Sequence, residues 1–190
     1  MDVAAVNEPA RNHVIAAWII AALLLWLVLR LDLLPALLAG LLVFELVHVL
    51  TMRLNFVRVR QVTHAVLPHM IERNWGRVIN ISGKSEPSGL LAASPAKAAI
   101  HAWSKGLSRE VGPHGITVNC IPPGRIMSEQ IRAKYSPEFR TKQSAEEIPV
   151  GRYGEPEELA ALAVFLASPV ASYITGAVLP VDGGLRRYAF

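Results

Sequence analysis

A chain of 190 residues with 52% hydrophobic composition has material for one modest domain, yet its mean hydropathy of +0.35 is high for a purely soluble one. A formal charge of +4 and a pI near 9.5 arise from basic residues scattered singly. There is no basic helix, aromatic stacking motif or zinc spacing, which argues against a nucleic-acid partner. The single cysteine, Cys120, excludes a disulfide framework and, inside the apolar run ITVNCI, reads as a buried, inert thiol.

The apolar excess lies before residue 50. From Val14 to Leu29, VIAAWIIAALLLWLVL has no charge and no helix breaker, and Leu31 lengthens it past the isolated Arg30. Such a run is close to the ~17–25 residues a membrane-spanning helix needs. A second run, LLPALLAGLLVFELVHVL from Leu33 to Leu50, is interrupted by Pro35, Gly40, Glu45 and His48 and predicts a second helix with a weaker claim to span. The apolar stretch is too long for the core of a signal peptide, and no small-x-small cleavage site closes it. A buried helical hairpin in a cytoplasmic protein is the alternative. The turn RLD is neutral, whereas Arg11 precedes the first run and Arg53, Arg58 and Arg60 follow the second. Positive flanks favour a hairpin with both ends cytoplasmic. Residues 14–50 are therefore expected to meet a lipid bilayer, and residues 52–190 to be cytoplasmic. The second run also resembles the start of autoinducer-2 exporter family permeases, over about the first fifty residues.

After Leu50 the pattern alternates. Residues 55–73 predict a helix, GRVINIS (Gly76 to Ser82) a strand, 94–111 a helix and GITVNCI a strand. Arg125 to Glu147 is polar and mixed and reads as a loop. EPEELAALAVFLA, residues 155–167, predicts a helix, and GAVLPVDGG a last strand with its turn. Continuously apolar strands separated by helices indicate a parallel sheet covered on both faces, an α/β architecture. The expected organisation is a probable transmembrane hairpin over 1–51 and an α/β domain over 52–190.

Taken in order, RLNF, AVLPHMIERNWGRVINIS, AKAAIHAWSKGLSREVGPHGITVNCIPPGRIMSE and PVGRYGEPEELAALAVFLASPVASYITGAVLPVDGG resemble the C-terminal half of a short-chain dehydrogenase/reductase. The resemblance covers roughly residues 52–190 and is greatest to the 3-oxoacyl-carrier-protein reductase subgroup. It implies the C-terminal half of a Rossmann-type doubly wound parallel sheet, with three of seven strands. It also implies homo- or hetero-oligomer formation through helices 55–73 and 94–111, and hydride transfer between NAD(P)(H) and a carbonyl or alcohol by a Ser, Tyr, Lys and Asn set. The chemistry explains the set. Hydride moves on carbon while a proton moves on oxygen, so an acid/base of tuned pKa is needed, and a tyrosine beside a lysine ammonium supplies one. Spacing of i to i+4 puts both on one helix face.

By that resemblance Asn55 holds the asparagine position and Lys97 the lysine position, where it would serve both catalysis and the cofactor. The serine position is Gly83, with Ser82 and Ser85 as neighbours that read better as turn or cap residues. The tyrosine position is Ala93. Counting the loop from Gly83 at the usual family spacing moves the pair to Ala96 and Ile100, and neither register contains a tyrosine. Pro123, Gly124, Ile126 and Ser128 match the segment that covers the nicotinamide in the family, and VDGG its structural C-terminal turn. His64, His69, His101 and His114 lack metal-ligand spacing and read as surface or helix-packing residues, with no metal site.

A dinucleotide site opens with a strand, a glycine-rich turn and a helix whose amino end receives the pyrophosphate. Neither TGxxxGxG nor GxGxxG occurs in this chain. The apolar hairpin stands where that half is expected, and a gene fusion or an assembly error near Thr51 and Met52 would explain the seam. Two readings follow: an oxidoreductase-derived chain inactive alone, or a membrane-anchored, non-catalytic module that pairs with an intact homologue. A transporter fragment is least favoured, since two helices offer no inverted repeat.

Overall fold

In the computed structural model of the protein, residues 8–30, 34–84 and 93–187 are described. The chain divides into two compact units, Met1–His48 and Val49–Phe190.

The amino-terminal unit is helical. Helix α1 spans Glu8–Arg30 and α2 spans Leu34–Met52, with Pro35 in the first turn, where a missing amide donor costs nothing. Large apolar side chains stand exposed along both, with Trp18 at 72% and Leu42 at 70%. Among the described residues, one helix is long and apolar enough to cross a membrane: Leu34–Glu72, whose most apolar window has mean hydropathy 2.0 and no buried share. Within the first run, the described residues give a shorter apolar stretch, His13–Leu27, inside α1. Leu31 and Asp32 of the expected turn lie outside the described residues.

In the second unit, helix geometry begins earlier than expected. A π-helical turn, Arg53–Val57, follows α2 directly and leads into α3, Arg58–Glu72. Pro68 removes one intrahelical bond, that to His64, but stands only four residues from the helix end. Strand β1 (Gly76–Ile81) pairs in parallel with β2 (Ile116–Ile121), Gly76 opposite Ile116 and Ile81 opposite Ile121, across helix α4 (Ala93–Val111). This is a β-α-β unit. Gly115 enters β2 at φ +67°, and a Cβ there would stand 2.5 Å from the Asn74 carbonyl oxygen, so the turn admits only glycine.

Strand alternation sorts the core into two faces. Ile116 and Val118 pack with Val78, Leu67 of α3, and Leu107 and Val111 of α4. On the opposite face Ile121 packs with Leu166, Ala171 and Ile79 beneath helix α7 (Pro156–Ala167). Helices thus cover both faces of a parallel sheet, as the apolar strands require. Cys120 is fully buried in β2, and burial pushes its thiol up, as suits an inert side chain.

Two expectations are corrected. GAVLPVDGG does not form a named strand. It runs beside β2 through isolated parallel bridges, Cys120 with Val178 and Pro123 with Val181, held by Leu179 N–H to Cys120 O at 2.9 Å and Gly124 N–H to Val181 O at 2.9 Å. Pro122, Pro123 and Pro180 lack amide donors, which interrupts a continuous ladder. The stretch Arg125 to Glu147 contains two helices rather than a loop: α5, Glu129–Lys134, and α6, Pro137–Glu147. Ser128 caps the first by accepting from Ile131 N–H, and Ser136, followed by Pro137 at the first helical position, caps the second through Phe139 N–H.

Asn119, 1% exposed, ties the last segment to the sheet. Its amide donates to Ile174 O at 2.8 Å and accepts from Ala177 N–H at 3.1 Å. Substituting Asn119→Ala leaves both backbone groups unmatched and is expected to cost about 1–3 kcal/mol. Chemical denaturation of the detergent-solubilised chain measures this, and an unchanged midpoint would show that the clamp carries no stability.

Candidate active site

The carboxyl ends of β1 and β2 meet the amino-terminal half of α4. Val78 and Asn80 on β1, and Ser82 just past its end, lie on the side of α4. Val78 enters the core there, Asn80 donates through Nδ2 to Ser104 Oγ at 2.9 Å, and Ser82 Oγ lies 2.7 Å from His101 Nε2. The contacts become more polar toward the end of the strand. Ser82 is held by its own N–H, which donates to Ile121 O at 3.1 Å, so its hydroxyl sits on rigid backbone.

Lys97 stands one helical turn before His101 and shares its face. Its stem lies over Gly83, where an added Cβ would be 3.5 Å from Lys97 Cε. That is ordinary contact, but Gly83 has φ +152°, a backbone conformation that side-chain-bearing residues rarely adopt. A serine at 83 would be strained there. Burial lowers the Lys97 ammonium. Burial also lowers the His101 imidazole, helped by the charges of Arg186 and Lys97, which favours its neutral form.

Ala93 is the exposed first residue of α4 and contributes only a methyl group. Ala96 and Ile100, the positions of the second register, are 0% and 2% exposed in the core and face no site. Ser85 lies outside the described residues. Asn55 sits in the π-helical turn, which packs against α4, and its Nδ2 donates to Thr51 O at 3.0 Å. π-Helical turns are frequent at functional sites.

Pro123 and Gly124 line a small hollow with Lys84, Pro122, Asp182, Leu185 and Arg186. A Cβ on Gly124 would lie 2.5 Å from Asp182 Cα, so glycine lets the PPG turn close on the VDGG turn. Asp182 works structurally: its carboxylate accepts from Gly184 N–H at 2.9 Å and Arg186 N–H at 3.1 Å, which fixes the arginine's backbone near the site. Ile126 lies apart, bridged to Gly154 beside a second hollow, and exposed Ser128 spends its hydroxyl on the α5 cap. Of the expected nicotinamide set, the structure brings only Pro123 and Gly124 to the same hollow. Among the described residues no three His, Cys, Asp or Glu side chains cluster as a metal site.

His101 escaped the sequence reading, which treated it as a packing residue. Its signal was present in the i+4 spacing from Lys97 on an amphipathic helix. Arg186 carried no signal, because only the Asp182 turn places it.

A family model described as enoyl-(acyl carrier protein) reductase matches residues 48–186. The 3-oxoacyl-[acyl-carrier-protein] reductase of Aquifex aeolicus is 37% identical over 144 residues, which are 70% of this chain and 54% of that protein. The chain belongs to the short-chain dehydrogenase/reductase family. The acetoacetyl-CoA reductase of Rhizobium meliloti is 41% identical over 133 residues, 68% of this chain and 55% of that protein. Among solved structures, a gluconate 5-dehydrogenase from Burkholderia cenocepacia in complex with NADP and tartrate superposes with TM-score 0.64 at 35% identity, covering 70% of this chain and 54% of that one. The Pseudomonas aeruginosa RhlG/NADP active-site complex gives TM-score 0.64 at 38% identity, covering 70% and 57%. The chain therefore spans about half the length of the curated relatives it matches. Its fold is the α/β Rossmann-type sheet of this family, with an apolar helical segment before it.

The hollow beside Pro122, Pro123 and Gly124 is small, and its lining includes no set of residues that would receive a whole nicotinamide dinucleotide. No glycine-rich turn after a strand is present to receive the pyrophosphate.

Proposed function

We propose that this chain is the carbonyl-facing half of an NAD(P)-linked short-chain oxidoreductase acting on a carbonyl/alcohol pair, inactive alone, and held at a membrane by residues 14–50. The observation that carries this reading is the Ser82, His101 and Lys97 cluster at the carboxyl ends of parallel strands, the place where open α/β sheets bind ligands. In this reading Pro123, Gly124 and Lys97 hold the nicotinamide end of NAD(P)(H), and the bound nicotinamide supplies or accepts hydride. The Ser82 hydroxyl orients the substrate oxygen, and the Lys97 ammonium favours negative charge developing on it. The permease-like first fifty residues serve as an anchor rather than a transport path.

In this reading a nucleotide-binding half of the same family completes the sheet beside this chain. Supporting this, β1 pairs only with β2 among the described residues, which leaves one parallel edge for a further strand. Beside that edge, Arg58, Val62, Val66, Met70 and Asn80 line a groove of about 450 Å³. A second reading, a non-catalytic module pairing with an intact homologue through 55–73 and 94–111, is favoured by Val62 and Val66, apolar yet 66% and 42% exposed on α3.

The test co-expresses the full chain with the amino-terminal half of the Pseudomonas aeruginosa 3-oxoacyl-[acyl-carrier-protein] reductase. Co-purification with NADPH binding, measured by cofactor fluorescence, is the expected result. A co-purified complex that binds no dinucleotide would leave only the non-catalytic module.

A further inference from the structure

We infer that the open edge of β1 is a docking site for one extended apolar segment of a second polypeptide, seated parallel to β1 beside α3, with a carboxylate at its carboxyl end against Arg58. The inference rests on the reading above, in which a second polypeptide completes the sheet, and it names the kind of segment that does so. It does not depend on dinucleotide chemistry.

The burial of the two strands differs. Every residue of β2 is buried, whereas Arg77, Val78 and Ile79 of β1 are half-buried and Ile81 is 50% exposed. Parallel strands are ordinarily buried on both faces, so β1 lacks a neighbour on one side. The groove of about 450 Å³ beside it is lined by Arg77, Val78, Ile79 and Asn80 in unbroken succession. Side chains alternate between faces along a strand, so a hollow that meets four consecutive residues meets the strand's edge. That edge presents backbone N–H and C=O groups, which among the described residues have no strand partner on that side. An acyl chain in the groove would leave them unmatched, whereas an extended backbone pairs with them.

The walls give the composition of the segment. On one face Val59, Val62, Val66 and Met70 of α3 line the groove, and on the other Ile81 is uncovered. A segment that covers both faces is apolar throughout rather than at alternate positions, as strands buried on two faces are.

Charge gives its direction. Residues 73–75 reverse the chain, so α3 runs antiparallel to β1. Met70 meets the start of the strand, where a Cβ on Gly76 would lie 2.6 Å from its sulfur. Arg58 opens α3 twelve residues before Met70, ~18 Å along the helix, and a six-residue strand covers about the same distance. Arg58 therefore stands level with the carboxyl end of β1. It is exposed, no acidic residue lines the groove, and among the described residues no carboxylate pairs with it. A second copy's β1, GRVINI, brings an arginine and no carboxylate, so the charge favours a different chain.

The test adds labelled peptides to the full chain in detergent. Each has a six-residue core of valine and isoleucine; one carries glutamate after the core and lysines before it, and the other carries them in reverse order. Binding is read by fluorescence anisotropy, and the state of β1 by amide hydrogen exchange. The glutamate-last peptide should bind more tightly and slow exchange in β1, and N-methylation of alternate peptide amides should abolish both effects. Arg58→Glu should weaken that peptide about three- to tenfold and reverse the preference when lysine replaces its glutamate. Val62→Lys with Val66→Lys, both at exposed positions that leave the fold intact, should remove binding. Equal binding by the N-methylated peptide overturns the inference and makes the groove a trough for lipid chains. Tighter binding of the reversed peptide overturns the parallel direction and the role of Arg58. If neither the peptides nor the co-expressed amino-terminal half slows exchange in β1, the docking site is overturned, while NADPH binding by the co-purified pair keeps the half-enzyme reading. Peptide binding at β1 with no NADPH binding by the pair does the opposite: the docking site stands and the oxidoreductase reading falls.

Discussion

The full chain, purified alone in detergent, will not bind NAD(H) or NADP(H) at micromolar concentrations and will show no dinucleotide-dependent turnover. A dinucleotide is held mainly by its charged middle, where a glycine-rich turn brings backbone N–H groups and a helix amino end to the pyrophosphate. This chain has no such sequence. What remains is a small hollow bounded by Pro122, Pro123, Gly124 and Arg186. Each tenfold of affinity is about 1.4 kcal/mol, so losing several charge-assisted hydrogen bonds moves a micromolar site beyond detection. Ala93→Tyr will not rescue turnover, because it restores a Tyr-to-Lys spacing on α4 without restoring the cradle. Isothermal calorimetry on the chain, with and without Ala93→Tyr, measures both. Micromolar binding by the chain alone would mean that the pyrophosphate is received by residues other than those of the family's glycine-rich turn.

How much of this was legible in sequence differs by element, for physical reasons. The β-α-β unit was legible because VINI and ITVNCI are short, uncharged and rich in Val and Ile, and the intervening helix has strong amphipathic spacing. Helix α7 announced itself by Glu155 and Glu158, which form a capping box around Pro156. Helices α5 and α6 were hidden because both are short and largely exposed, so no apolar stripe marks them; only their serine caps do. The last strand was over-read, since its apolar alternation is real but its prolines cannot sustain a ladder.

The site was legible only in part. Lys97 was found through family spacing, whereas the Ser82–His101 contact joins residues 19 apart and depends on the register of β1 against α4. Pattern reading on one chain gives the face of each element but not which residues on two faces meet. The same limit separated Ile126 and Ser128 from Pro123 and Gly124, because the chain turns away after Gly124 to start α5.

The second large effect concerns residues 14–50: the chain is expected to sediment with membranes, to remain there through high salt and alkaline carbonate, and to be released by detergent. Between Leu33 and Leu50 there are twelve Leu, Val and Phe residues against one Glu45. At about −0.3 to −0.6 kcal/mol for each apolar residue and about +2.5 to +3.5 for a central acidic one, the apolar residues outweigh the glutamate. Glu45→Leu should therefore tighten membrane retention, and Leu38→Arg with Leu42→Arg, placed one turn apart on an exposed face, should abolish it. The positive flank of Arg53, Arg58 and Arg60 leads us to expect residues 52–190 on the cytoplasmic side. Protease added to sealed inside-out vesicles should then digest them, while protease outside intact cells should not. If the wild-type chain instead stays in the supernatant after high-speed sedimentation without detergent, the two apolar helices are covered by protein rather than lipid, as in a buried hairpin. The exposed Trp18, Trp26 and Leu42 would then mark a protein interface, because apolar faces of that extent do not remain in water.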